Sequence, residues 1–88
     1  MKVEFNRYFF KDLGKISDAS VKSAVADIIE VVELATNLSQ VSNLKKLKGF
    51  KTAYRIRVGD YRIGIVVIRN VVEFVRVVNR NMIYKLFP

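Results

Sequence analysis

The run Tyr-Arg-Ile-Arg-Val-Gly-Asp-Tyr-Arg, from Tyr54 to Arg62, constrains this chain more than any other stretch. Apolar and cationic side chains alternate there with period two. Tyr54, Ile56 and Val58 fall on one face, Arg55 and Arg57 on the other, which predicts a half-buried strand. Gly59-Asp60 separates it from a second strand-like run, and a two-residue loop containing glycine signals a β-hairpin. That loop sets a register: Val58 opposite Tyr61, Arg57 opposite Arg62, Arg55 opposite Gly64. Three guanidinium groups then share one face, beside a glycine that leaves room above the sheet. Like charges facing each other across a sheet are destabilising. The arrangement therefore predicts a bound polyanion.

The flanking sequence extends the hairpin in both directions. From Ile63 the strand Tyr61–Ile68 is apolar at almost every position, so it should be central and covered on both faces. Arg69-Asn70 forms a second tight turn before a strand over Val71–Val78. With a two-residue loop, Val71, Glu73, Val75 and Val77 join the arginine face, and Val72, Phe74, Arg76 and Val78 the other. A charge at Arg76 does not suit that face, so either it pairs near the sheet edge or a bulge shifts the register. Upstream, Met1–Phe5 alternates as a short strand. Asn6 caps a helix bearing Tyr8, Phe9, Phe10, Leu13 and Ile16. Asp18 or Ser17 starts a longer helix with Val21, Val25, Ile28, Val32 and Ala35 in a stripe, stopping at Asn37. These stripes read as core, and the two helices as an antiparallel pair on one face of the sheet. Residues 37–51 read as a connection, with Leu44 and Leu47 anchoring it and Lys45, Lys46, Lys48 and Lys51 forming a candidate phosphate-contacting rim. Asn79 caps a short C-terminal helix. The expected architecture is α+β in the order β-α-α-β-β-β plus that helix: two N-terminal helices on an antiparallel sheet, as one domain over residues 1–88.

Charge sharpens the polyanion reading. Residues 1–42 carry five Lys/Arg and six Asp/Glu, a balance of −1, whereas residues 43–88 carry eleven and two, a balance of +9. Such asymmetry points to an acidic partner, nucleic acid first. The chain has no cysteine and no histidine, which excludes disulfides, thiolate zinc sites and imidazole catalysis. The eight acidic residues include no clustered pair, so no metal site is expected. The opening Met-Lys-Val-Glu-Phe and the absence of a long uncharged apolar segment predict neither signal peptide nor membrane span, hence a cytoplasmic location.

Three motifs together resemble the RelE/ParE superfamily, the toxin halves of type II toxin–antitoxin pairs. They are Leu47-Lys48-Gly49, the hairpin Tyr54–Ile63, and Val-Val-Asn-Arg-Asn-Met-Ile-Tyr-Lys ending at Lys85. The resemblance spans nearly the whole chain, including its strand–helix–helix–three-strand order. It implies a cognate antitoxin as partner, no cofactor, and one of two actions. RelE-like members are ribosome-dependent endoribonucleases (mRNA interferases) that inhibit translation, and ParE-like members poison DNA gyrase without cleaving anything. An inactive RNA-binding relative is a third possibility. Carried over position by position, the ribonuclease residues of the family fall on Arg55, Arg57, Arg62, Arg80 and Tyr84. Where many relatives read Gly-His-Arg, this chain reads Val78-Asn79-Arg80, so a role for that histidine is absent.

Metal-free RNA cleavage sends a 2′-OH against the adjacent phosphate, and the transition state gathers charge on the non-bridging oxygens. Fixed guanidinium groups stabilise that state more than the ground state, with permanent charge and bidentate geometry. For the base there is Tyr84, which could instead stack on a nucleobase and hold the sugar in line. Glu73 is the one carboxylate candidate, either as base or as a salt-bridge partner of the cluster.

Overall fold

A computed structural model describes all residues, 1–88. The elements run β1 (Lys2–Phe5), α1 (Arg7–Lys15), α2 (Ala19–Leu34), β2 (Leu44–Lys46), β3 (Ala53–Val58), β4 (Tyr61–Ile68), β5 (Val71–Asn79) and α3 (Ile83–Leu86), with a single 3₁₀ turn at Leu38–Gln40. The sheet has five strands in the order β1-β5-β4-β3-β2. The predicted hairpin register holds residue for residue: Val58 faces Tyr61, Arg57 faces Arg62 and Arg55 faces Gly64. Gly59 supplies φ +57°, and both residues of the second turn, Arg69 and Asn70, adopt left-handed φ as a type I′ turn requires. β4 lies at the centre of the sheet, as its apolar run predicts.

Two features of the sheet depart from expectation. It is mixed, because β1 pairs parallel to β5 after the two-helix crossover. The connection also contains a strand: β2 pairs antiparallel with β3, Leu44 facing Ile56 and Lys45 facing Arg55. Leu44 and Leu47 anchor it as predicted, Leu47 buried and Leu44 packed on the main core.

Asn6 caps α1 by accepting from the Tyr8 N–H, and Asp18 caps α2 by accepting from the Ser20 N–H. α1 packs on β5, while α2 lies across β1 and β3. Phe9 meets Phe74 edge-on with ring centroids 5.5 Å apart, which seats α1 on the sheet. The α2 stripe is core as read, with Val25 and Val32 fully enclosed. The α1 stripe is narrower than read. Tyr8 and Phe10 are 45% and 57% exposed, because the helical period turns Phe9, Asp12, Leu13 and Ile16 inward and carries their neighbours off that stripe.

Arg76 resolves in both of the ways left open. The β4–β5 register slips after Gly64, so Arg76 faces Gly64 while Phe74 faces Ile65, and Val75 is the extra residue. β1 ends opposite Phe74, leaving the second half of β5 an edge next to α1. There Arg76 Nε and Nη2 donate to the Asp12 carboxylate at 2.7 and 3.0 Å. The slip also exchanges two expected faces: Val77 joins the helix-side core and Val78 the arginine side.

Candidate functional site

The face opposite α1 and α2 is divided in two. Its half nearer the Gly59-Asp60 turn is cationic. Arg55 and Arg57 project from β3, and Arg62 from β4 opposite Arg57. The chain leaving β5 is drawn back onto the hairpin, where the Arg80 N–H donates to the Asp60 carbonyl at 2.8 Å. Arg62 is held by its own turn, Nη1 donating to the carbonyls of Gly59 and Tyr61, both at 2.9 Å. Burial first, then the charges of Arg55, Arg57 and Arg80, make the Arg62 guanidinium less basic than an ordinary one, with Tyr84 acting in the opposite sense. The other four candidate residues, Arg55, Arg57, Arg80 and Tyr84, thus all act on the charge of Arg62. Arg55 donates from Nη1 to the Asn43 carbonyl at 3.2 Å, while its buried Nε has no partner. Tyr84 is 67% exposed and does not serve as core packing for α3.

The other half of this face is apolar. Leu47, Ala53, Ile83 and Phe87 form a second small core, flanked by Val66, Val75 and Val78. The space expected above Gly64 is thus occupied. Phe87 fills it, so closely that a Cβ on Gly64 would lie 2.6 Å from two ring carbons. The C-terminal helix begins at Ile83, and Asn79 caps the preceding turn instead, accepting from the Asn81 N–H. Glu73 lies away from the arginine cluster, opposite Val66, four residues along β4 from Arg62. It faces Glu4 across β1, and lines a shallow cleft of about 280 Å³ with Glu4, Ile68 and Arg69. It can serve neither as base nor as ion-pair partner for the cluster.

Residues 3–84 match the family described as "ParE toxin of type II toxin-antitoxin system, parDE". The chain belongs to this toxin family. It is 40% identical to Toxin RelE3 of Methanocaldococcus jannaschii over 89 residues, covering all of both chains. A chain of the RelB–RelE antitoxin–toxin complex from Methanococcus jannaschii superposes with a TM-score of 0.83 at 38% identity, covering 97% of this chain and 99% of that one. The archaeal RelE–RelB complex from Pyrococcus horikoshii OT3 matches at 20% identity with a TM-score of 0.74, covering 93% and 97%, and shows the shared fold alone. The chain is a type II toxin of the RelE kind.

Within the toxin, the four lysines of the basic run do not act as one group. Lys45 faces Arg55 and extends the arginine face, whereas Lys46 faces Tyr54 on the helix side. Lys48 and Lys51 lie in the loop before Ala53, the end of β3 away from Arg57 and the Gly59-Asp60 turn. The residues that sequence reasoning missed here are Ile83 and Phe87. Their signal was present: a lone glycine in an otherwise apolar central strand marks a close approach, and the tail holds the remaining large apolar side chains.

Proposed function

We propose that this toxin cleaves mRNA on the ribosome, by metal-independent attack of a ribose 2′-OH on the adjacent phosphate. The products are a 2′,3′-cyclic phosphate and a free 5′-OH. The observation that carries this reading is the cationic half-face itself: Arg55 and Arg57 on β3, Arg62 opposite Arg57 on β4, and Arg80 where the chain is tied back to the Asp60 carbonyl, with Tyr84 exposed four residues on. Four guanidinium groups that repel one another in the free protein gain from a phosphate whose charge rises during reaction. Tyr84 offers a phenolate, which can accept the 2′-OH proton, or a ring, which can stack on a base. The relatives named RelE, and the antitoxin-bound RelE structures, support the same reading and a cognate antitoxin as partner.

Expression of the toxin alone should arrest growth, and co-expression of its antitoxin should restore it. With purified ribosomes, primer extension on translated mRNA should reveal cuts that are absent from naked mRNA. The family description carries the ParE name, which favours a second reading, inhibition of DNA gyrase. Intact mRNA together with blocked supercoiling by purified gyrase would establish that second reading and sink the first.

The lysines separate under the same assay. Lys48→Ala with Lys51→Ala should lower the salt slope of RNA binding by about 1.4, roughly 0.7 for each phosphate of a single strand no longer neutralised, and leave the saturated cleavage rate unchanged. Lys45→Ala should lower that rate, since Lys45 stands beside Arg55. Unaltered salt slopes would remove the loop lysines from the interface.

A further inference from the structure

We infer that Phe87, seated on Gly64, is a positioning residue for Tyr84, and that Gly64 is glycine to admit that ring; this rests on the ribonuclease reading. α3 has four residues and no side-chain cap at its N-terminus, so it cannot hold its place alone. What holds it is the pair of apolar side chains on either side of Tyr84: Ile83 is fully buried and Phe87 is 3% exposed. The Phe87 N–H donates to the Ile83 carbonyl at 2.8 Å, so the two anchors close one turn and Tyr84 rides between them. Tyr84 itself is mostly in solvent, and its direction follows from that turn.

Gly64 has no backbone reason to be glycine, since its φ lies outside the left-handed region that Gly49 and Gly59 occupy. Glycine in the middle of a central strand weakens it. The compensation is close packing: ideal Cβ placement falls 2.6, 2.6 and 2.9 Å from three atoms of the Phe87 ring. The sheet side of this approach is fixed by backbone, and the ring is enclosed by Leu47, Ala53 and Ile83, so a methyl group must lift the ring and the turn with it. Gly64 lies two residues from Arg62 on the same face and directly opposite Arg55. Lifting Phe87 therefore moves Tyr84 relative to the phosphate-binding arginines.

The test combines three readouts on the full chain. Gly64→Ala should lower the saturated rate of mRNA cleavage on ribosomes by about 10–100-fold, the scale of a misplacement near 1 Å, with ribosome affinity unchanged. In a Tyr84→Ala background the same change should add almost no further loss; a full second loss would overturn the positioning role. With 3-fluorotyrosine incorporated, the ¹⁹F resonance of Tyr84 should shift in both Gly64→Ala and Phe87→Ala, and in Phe87→Leu by less. An unmoved resonance would also overturn it. Thermal melts guard against misfolding: Gly64→Ala should lower the melting temperature of the wild-type chain but hardly change that of Phe87→Ala, where the ring that clashes is gone, while cleavage stays low in both backgrounds. The resonance and the melts need no cleavage, so a wild-type chain that cuts nothing would fail the ribonuclease reading while the seating of Phe87 on Gly64 remains testable.

Discussion

Arg62→Ala is expected to reduce cleavage of translated mRNA by about 10²–10³-fold, the loss typical of removing one fixed donor from a developing oxyanion. Arg62 is the cation best prepared for that task. Its Nη1 is tied to two carbonyls of the hairpin turn, leaving Nε and Nη2 without protein partners, and it lies at the point on which Arg55, Arg57 and Arg80 converge. Arg57, by contrast, is exposed on its strand and should matter less. The effect should fall on the rate at saturation, because the guanidinium is preorganised for charge that appears in the transition state. Stability should move by less than about 1 kcal/mol, since two partly solvated hydrogen bonds are removed while like-charge repulsion is relieved. Single-turnover cleavage on programmed ribosomes, with a urea melt alongside, measures both. A variant that cuts at the wild-type rate would show that the cluster binds RNA without taking part in the chemistry.

Much of this arrangement was legible because it is local. Period-two alternation and the Gly59-Asp60 turn determine the β3–β4 register, and that register alone puts Arg55, Arg57 and Arg62 on one face. Capping by Asn6 and Asp18 is equally short-range. What escaped depends on contacts between distant segments. No local pattern distinguishes a parallel from an antiparallel partner for β1, or reveals that a three-residue piece of a basic connection will pair with β3. The charge at Arg76 made a bulge one of two alternatives, but its position cannot be read in β5, where Val75, Val77 and Val78 look interchangeable, yet it decides which of them is core. The tail was half legible: the lone Gly64 marks a close approach, but Phe87 is distant in sequence, and only the fold shows that it fills the space. Relatives supplied Arg80 and Tyr84, which spacing alone does not connect to the hairpin.

The largest effect on stability should come from a residue with no part in the chemistry. Asp12 is 6% exposed in α1 and receives three hydrogen bonds: Arg76 Nε at 2.7 Å, Arg76 Nη2 at 3.0 Å and the Val77 N–H at 3.1 Å. The carboxylate thus ties α1 to β5 at the bulge, where the strand has no β1 beside it and an amide would otherwise be orphaned. Arg76 holds its proton more firmly than an ordinary arginine, chiefly through the hydrogen bond to Asp12 and against the effect of burial. Asp12→Ala leaves that guanidinium half-buried and unpaired and the Val77 N–H unsatisfied. Breaking such a pair from one side costs about 3–5 kcal/mol. Arg76 keeps 17% of its side-chain surface in water, so the lower end, about 3 kcal/mol, is expected. For a domain of this size that lowers Tm by roughly 12–24 °C. Replacing both partners, Asp12→Leu with Arg76→Met, should recover part of the loss, because it removes the uncompensated charge while the Val77 N–H stays without its acceptor. Urea or thermal unfolding of the two single variants and the double variant measures the coupling directly. Single changes costing under about 1 kcal/mol, the range of a solvated surface pair, would show that α1 is held by its apolar contacts, Phe9, Leu13 and Ile16, and not by the ion pair.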